Sequence, residues 1–307
     1  MNSKGVWNIL AILGFGAAVL LLPGCEEEDV VGAFGSNTAR AVERETAAWA
    51  SGVSRSLVVE TSNGAVRLRG KPGVQTASIV ITKRSRGGTI EEARDRVDRI
   101  VVHVEQIGPE LRLVYQAGDQ DDDVRRASGV DFDVVLPEEI RIDARTSNGA
   151  VDLADVRGTI RLETSNGAID VRRCEGTLFA DTSNGRIEVV SFVGDAHAET
   201  SNGAVWIEDA IGSVDAETSN GSIRYEGTPA EDLGNRLRTS NGSITVRVDP
   251  ALAIAFDAHA GGGRIRSNLP LTGDTEGEDW SAVLNPPART EMELRTSNGS
   301  IALEAAP

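Results

Sequence analysis

Ser213, His197, Asp195 and Asp215 are the residues of this chain whose types and spacing come nearest to a catalytic group. His197 and Asp215 are 18 residues apart, Asp195 lies two before the histidine and Ser213 two before Asp215. If residues one such interval apart are neighbours in space, a serine, a histidine and two carboxylates come within reach of one another. A hydrolytic triad needs that geometry together with an oxyanion hole and a concave pocket. Nothing in the surrounding pattern supplies either, so the group reads as an exposed ion-pair cluster. The same interval aligns Glu163, Asp181, Glu199 and Glu217, bracketed by Arg145 and Arg238. A column of like charges is unfavourable unless solvent and the flanking arginines screen it or a cation such as Ca²⁺ bridges it. Screening is the favoured reading of the two. Asp119, Asp121 and Asp123 open like an EF-hand loop, but Val124 and Val130 stand where that loop needs Gly and Glu, so they read as a solvated loop. Trp206 and Phe179, outward among polar neighbours, are candidates for surface binding, although the favoured reading has Trp206 covered by the N-terminal insertion or by the loop before Pro286.

The interval itself comes from the tetrapeptide Thr-Ser-Asn-Gly, which occurs eight times. From Thr146 it recurs at Thr164, Thr182, Thr200 and Thr218 with a constant spacing of 18 residues. Counting from each Thr as position 1, positions 6 and 8 are apolar (Val205 and Ile207 in one copy) with Trp206 between them, the period-two pattern of a half-buried strand. Positions 15 and 17, such as Leu178 and Ala180, repeat the pattern in a second strand, and position 11 (Val156, Cys174, Phe192, Ala210) adds an apolar plug. Position 13 is Gly158, Gly176, Gly194 and Gly212, a corner needing positive φ or close backbone approach. Continuing the alternation turns Thr inward and Ser outward and leaves Asn-Gly in a turn, where both tolerate left-handed conformations.

A meander would not return identical residues to identical faces at a fixed period. The fold class expected is therefore all-β, a parallel β-solenoid (β-helix) of about 18 residues per rung. An 18-residue hexapeptide helix is excluded, because it wants an aliphatic residue every six positions. In the stack Asn148, Asn166, Asn184, Asn202, Asn220 and Asn241 form a ladder of amide hydrogen bonds, and the Thr hydroxyls pair with one another. Later copies loosen: Thr239 follows by 21 residues, Ala260–Ile265 is a degenerate copy, Leu269–Pro287 reads as a rung with a bulged loop, and Thr296 completes the series. Before the repeats, Thr89-Ile90-Glu91-Glu92 fits a capping box opening a short helix with Ile90, Ala93, Val97 and Ile100 on its apolar face. Strands 101–105 and 111–115 flank a Gly108-Pro109 turn. This is a first rung at Thr61 carrying an inserted β-hairpin and helix that cap the stack.

Residues 1–24 hold one basic residue, no acid and an apolar run from Ile9 to Leu22 ending Leu-Pro-Gly-Cys25. They read as a lipoprotein signal peptide, with Cys25 the lipidated residue, and 25–45 as an acidic tether. Residues 46–145 are then the capping subdomain and 146–307 the repeat solenoid. Without the signal, 30 basic residues face 47 acidic ones, a balance that disfavours nucleic acid as a partner. Cys174 alone would remain, so no disulfide framework exists. No Cys/His cluster or phosphate-cradling loop points to a cofactor.

A lipoprotein with recurring Ser-Asn-Gly turns and a strand-helix-strand lead-in resembles the putative adhesin domain family of bacterial envelope proteins, over about Val53 to Leu303. The resemblance implies a β-helical protein with no catalytic residues to carry over. The expectation is a non-enzymatic, lipid-anchored envelope scaffold, facing the periplasm or on the cell surface. Its partners are the membrane, through the lipid, and a protein or polysaccharide ligand. The alternatives are a structural protein assembling end to end, or a β-helical carbohydrate-active enzyme.

Overall fold

The computed structural model describes residues 9–13, 19–21, 39–50, 55–231 and 233–306. Cys25, the lipobox-like run ahead of it and the acidic residues 26–29 lie outside them. Within the expected signal region, Ile9–Leu13 and Val19–Leu21 are strands, pairing with Val102–Ile107 and with residues 47–49. Among the described residues no helix is long and apolar enough to cross a membrane. The described residues are all-β with two short α-helices, and the chain divides into two compact units, Met1–Val156 and Arg157–Pro307.

In the first unit the Thr61 copy of the motif lies beside the Thr146 copy. Ser56–Thr61 pairs in parallel with Arg141–Thr146, and Val66–Lys71 with Val151–Ala154. The residues between them are an insertion that returns to the sheet: Glu110–Tyr115 and Ser128–Pro137 pair in parallel with Ser56–Thr61 and Val66–Lys71, so the Thr61 copy is flanked on both sides and is not the first of the series. Val102–Ile107 and Glu110–Tyr115 form an antiparallel hairpin, and Ala39–Ala50, Thr76–Gly87 and Ser128–Pro137 form an antiparallel three-stranded face. The helix Ile90–Asp98 begins where the capping box predicts. Thr89 Oγ1 accepts from the Glu92 amide at 3.2 Å, while the Glu92 carboxylate reaches the amide of Gly88 rather than that of the cap residue. Ala93, Val97 and Ile100 are buried, as its apolar face requires. Asp121 and Asp123 are not in a free loop. They flank the start of a second helix, Asp122–Ala127, and grip Arg99 at 3.2 and 2.6 Å.

In the second unit the 18-residue period is realised as parallel register. Ile169–Thr182 pairs with Ile187–Thr200 residue for residue, Cys174 opposite Phe192, Phe179 opposite His197 and Thr182 opposite Thr200. The apolar positions 6, 8, 11, 15 and 17 of these copies are all buried. The motif threonines are buried and their serines exposed. The Thr hydroxyls do not pair with one another, however. Thr200 Oγ1 donates to the carbonyl of Gly185 at 2.9 Å, and Thr182 and Thr218 repeat the bond to Gly167 and Gly203. The nearest partner for a buried hydroxyl is thus the glycine carbonyl of the neighbouring turn, which would otherwise lack a donor.

Two corners differ from expectation for steric reasons. The motif glycines do not need positive φ: a Cβ on Gly203 would lie 1.8 Å from the Gly185 carbonyl oxygen, so close approach of stacked turns excludes a side chain. The left-handed residues lie instead at position 10, at Arg173, Ser191 and Asp209 with φ between 53° and 57°, just before the apolar plug. Gly176, Gly194 and Gly212 meet both conditions, with positive φ and a virtual Cβ about 2 Å from the preceding glycine.

The late copies do not stack in chain order. Gly234–Thr239 pairs with Thr290–Thr296, and it is Thr290–Thr296 that pairs with Ile254–Ala260. The last copy is therefore inserted between the two before it. Residues 269–287 are not a bulged rung: Leu271–Asp274 and Asp279–Leu284 form an antiparallel hairpin that pairs with Ile254–Ala260.

Candidate functional site

Positions 14, 16 and 18 alternate outward on the strands that end in the motif threonine, because positions 15 and 17 fill the core. The parallel register converts each position into a column. Position 16 stacks Arg161, Phe179, His197 and Asp215, and position 18 stacks Glu163, Asp181, Glu199 and Glu217. Together they line a shallow depression of about 300 Å³.

Phe179 and His197 lie face to face, ring centroids 5.0 Å apart and planes 5° from parallel, with Phe179 40 % exposed. The pair offers a flat aromatic platform. His197 Nδ1 is 4.0 Å from Asp215 Oδ2, and Arg236 approaches the same carboxylate at 3.7 Å. Ser213 Oγ donates to Asp195 at 2.6 Å, so the serine is committed to a carboxylate instead of a general base. The sequence thus places the four residues of the would-be triad on one face, and the geometry gives them the bonding of an ion-pair cluster.

Beside the platform the acid column is open to water. Arg161 approaches Glu163 at 4.0 Å, and Arg238, opposite Glu217, is bound by Glu293 at 2.8 Å. Burial, and secondarily the charge of Glu163, push the Asp181 carboxyl above the ordinary carboxylate value, with Arg161 opposing. Among the described residues no group of three or more Asp, Glu, His or Cys converges as a metal site would require. The face can accept hydrogen bonds, attract cations and stack a flat or ring-shaped group.

Trp206 stands elsewhere on the repeat, between Glu188 and Arg224 in the parallel register, and is 41 % exposed. Ile211 and Val193, paired side by side, are exposed as well. The Asn side chains form the expected ladder, on the exposed turn edge. Asn184 donates to Asn166, Asn202 to Asn184, Asn220 to Asn202 and Asn241 to Asn220 at 2.9–3.0 Å, and in the first unit Asn148 donates to Asn63 at 2.8 Å. The series continues from Asn241 to Asn298, across 57 residues.

No family model matches the chain, and no curated protein does. Among solved structures it is similar to a putative cell adhesion protein from Clostridium sporogenes, at 9 % identity over 86 % of this chain and 100 % of that one, with a TM-score of 0.25. It is also similar to a putative adhesin from Parabacteroides distasonis, at 9 % identity over 86 % and 97 %, with a TM-score of 0.45.

The Phe179–His197 stack was available in the sequence, since the two are one period apart, but it emerges only when position 16 is read as a column. The cross-strand pair His259 and Asp279, with Nδ1 to Oδ1 at 2.7 Å, has no such signal, because it depends on the antiparallel hairpin at residues 271–284.

Proposed function

We propose that the parallel registers are successive rungs of a β-solenoid, and that the protein is a non-enzymatic scaffold of the bacterial cell envelope, anchored by lipid at Cys25. It binds a partner or surface polymer through the acidic face around Phe179 and His197. The observation that carries this reading is the exposed aromatic–imidazole platform beside an open column of four carboxylates. Such a face suits a sugar ring, which stacks by its apolar side and donates hydroxyl hydrogens to the acids, or a basic peptide. Catalysis is disfavoured by the Ser213–Asp195 bond and the shallow surface. End-to-end assembly is disfavoured by the insertion in the first unit and the antiparallel hairpin late in the second.

The test is retention of the mature chain on purified envelope polysaccharide and on a Lys/Arg-rich peptide. Phe179→Ala with His197→Ala should lower retention on one of them about tenfold, at unchanged melting temperature. Equal retention of wild type and double variant on both would contradict the assignment.

A further inference from the structure

In the first unit, a groove of about 540 Å³ is lined by four arginines, Arg40, Arg84, Arg86 and Arg126, and by no carboxylate. This is unusual ground in a chain of net charge −16. The arginines arrive from three elements. Arg40 stands directly opposite Arg86 on neighbouring antiparallel strands, Arg84 is two residues from Arg86 on the same face, and Arg126 lies in the last turn of the helix Asp122–Ala127. Like charges directly opposed across strands are unfavourable. Only Arg84 is neutralised, by Asp131, which also accepts from the Ala65 amide at 2.8 Å. The guanidinium groups of Arg40, Arg86 and Arg126 have no carboxylate partner among the described residues. Asn63, on the wall, accepts from Asn148 with its Oδ1 and keeps its own amide hydrogens without an acceptor there. The groove is therefore a surplus of hydrogen-bond donors around a concentration of positive charge.

We propose that this groove is a binding site for an acidic polysaccharide, whose carboxylate or sulfate groups the guanidinium forks of Arg40, Arg86 and Arg126 grip in bidentate fashion. A planar, multi-donor cation is matched to an oxyanion with two or more acceptor oxygens. The bound anion relieves the Arg40–Arg86 repulsion, and Asn63 donates to a sugar hydroxyl or ring oxygen. A single-stranded nucleic acid fits less well. No aromatic side chain lines the groove to stack a base. The site is separate from the acidic face and independent of the function proposed for it.

The experiment is titration of the full-length chain with polygalacturonate, neutral dextran, oligo-thymidylate and phosphatidylglycerol vesicles at low and high salt. The wild type should bind polygalacturonate, weaken with salt and ignore dextran. R40A/R86A/R126A should bind about 30-fold more weakly or worse. Its melting temperature should hold or rise as the repulsion disappears. R126A alone, at an exposed helix end, should weaken binding several-fold and guards against misfolding of the triple variant. The proposal is overturned by equal affinity of wild type and variants, by no preference over dextran, or by tighter binding of the oligonucleotide or the vesicles that R40A/R86A/R126A loses. It is also overturned if binding appears only in E26Q/E27Q/E28Q/D29N, which would assign the groove to the chain's own acidic run.

Discussion

Tyr225 shows how a single side chain reads against its surroundings. It occupies position 8, where the other copies carry aliphatic residues, and is fully buried with its hydroxyl unpaired. Burial pushes that hydroxyl far above its ordinary pKa. An unpaired buried hydroxyl costs about 1–3 kcal/mol, so Tyr225→Phe should raise stability in a chemical denaturation series. Destabilisation by more than about 1 kcal/mol would reveal a partner for the hydroxyl. Thr200 is the opposite case. Its hydroxyl serves the Gly185 carbonyl, so Thr200→Val should cost about 1–3 kcal/mol. Asn202→Ala should cost less than about 1 kcal/mol, since the ladder runs along an exposed edge where water replaces the lost bonds.

Asp181 carries the pH dependence of the acidic face. A carboxyl with a raised folded pKa holds its proton more tightly folded than unfolded. Its unfavourable contribution is absent below the unfolded value of 3.8 and grows as pH rises through the folded value. Asp181→Asn should therefore raise the melting temperature at pH 7, and the difference should vanish near pH 3. Millimolar Ca²⁺ should leave the wild type unmoved if the column is screened by solvent. A Ca²⁺-dependent rise that Asp181→Asn abolishes would convert the column into a cation site.

At the scale of the element, the corners set the register. Gly194→Ala combines a φ of 127° with a Cβ 2.0 Å from the Gly176 carbonyl oxygen, and should cost at least about 3 kcal/mol or prevent folding. Ser191→Asn, at a left-handed position that Asn tolerates, should be neutral or stabilising by up to about 1 kcal/mol in the same denaturation series. Period and burial were legible in the sequence because strand alternation and an 18-residue recurrence are local patterns. So were the helix cap at Thr89 and the outward Phe179 and Trp206. The insertion of the Thr296 copy between the Thr239 and Ala260 copies was not legible, because three similar copies can stack in several orders without changing any residue's face. Position 10 escaped because Arg, Ser and Asp announce no left-handed backbone. The arginine groove escaped because Arg40 and Arg86 meet only through a register of two strands far apart in the chain.

For the whole molecule, the columns matter more than any residue in them. A repeat that returns each position to its own face turns one outward substitution per copy into a stripe, and an acidic stripe beside an aromatic platform follows from that arithmetic alone. If Cys25 carries the anchor, intact mass of membrane-extracted protein should show diacylglyceryl addition after loss of residues 1–24, and Cys25→Ala should leave an uncleaved precursor. The register itself is tested most directly by oxidative cross-linking in a Cys174→Ser background. Ser201 and Ser219 occupy the same motif position in adjacent copies, whose strands lie about 4.8 Å apart, within disulfide reach. Ser201 and Ser240 are two registers apart and about twice that distance. S201C/S219C should form an intramolecular disulfide quantitatively while S201C/S240C does not. Failure of the first pair to cross-link, or equal cross-linking of both, would contradict the stacked register on which the binding face depends.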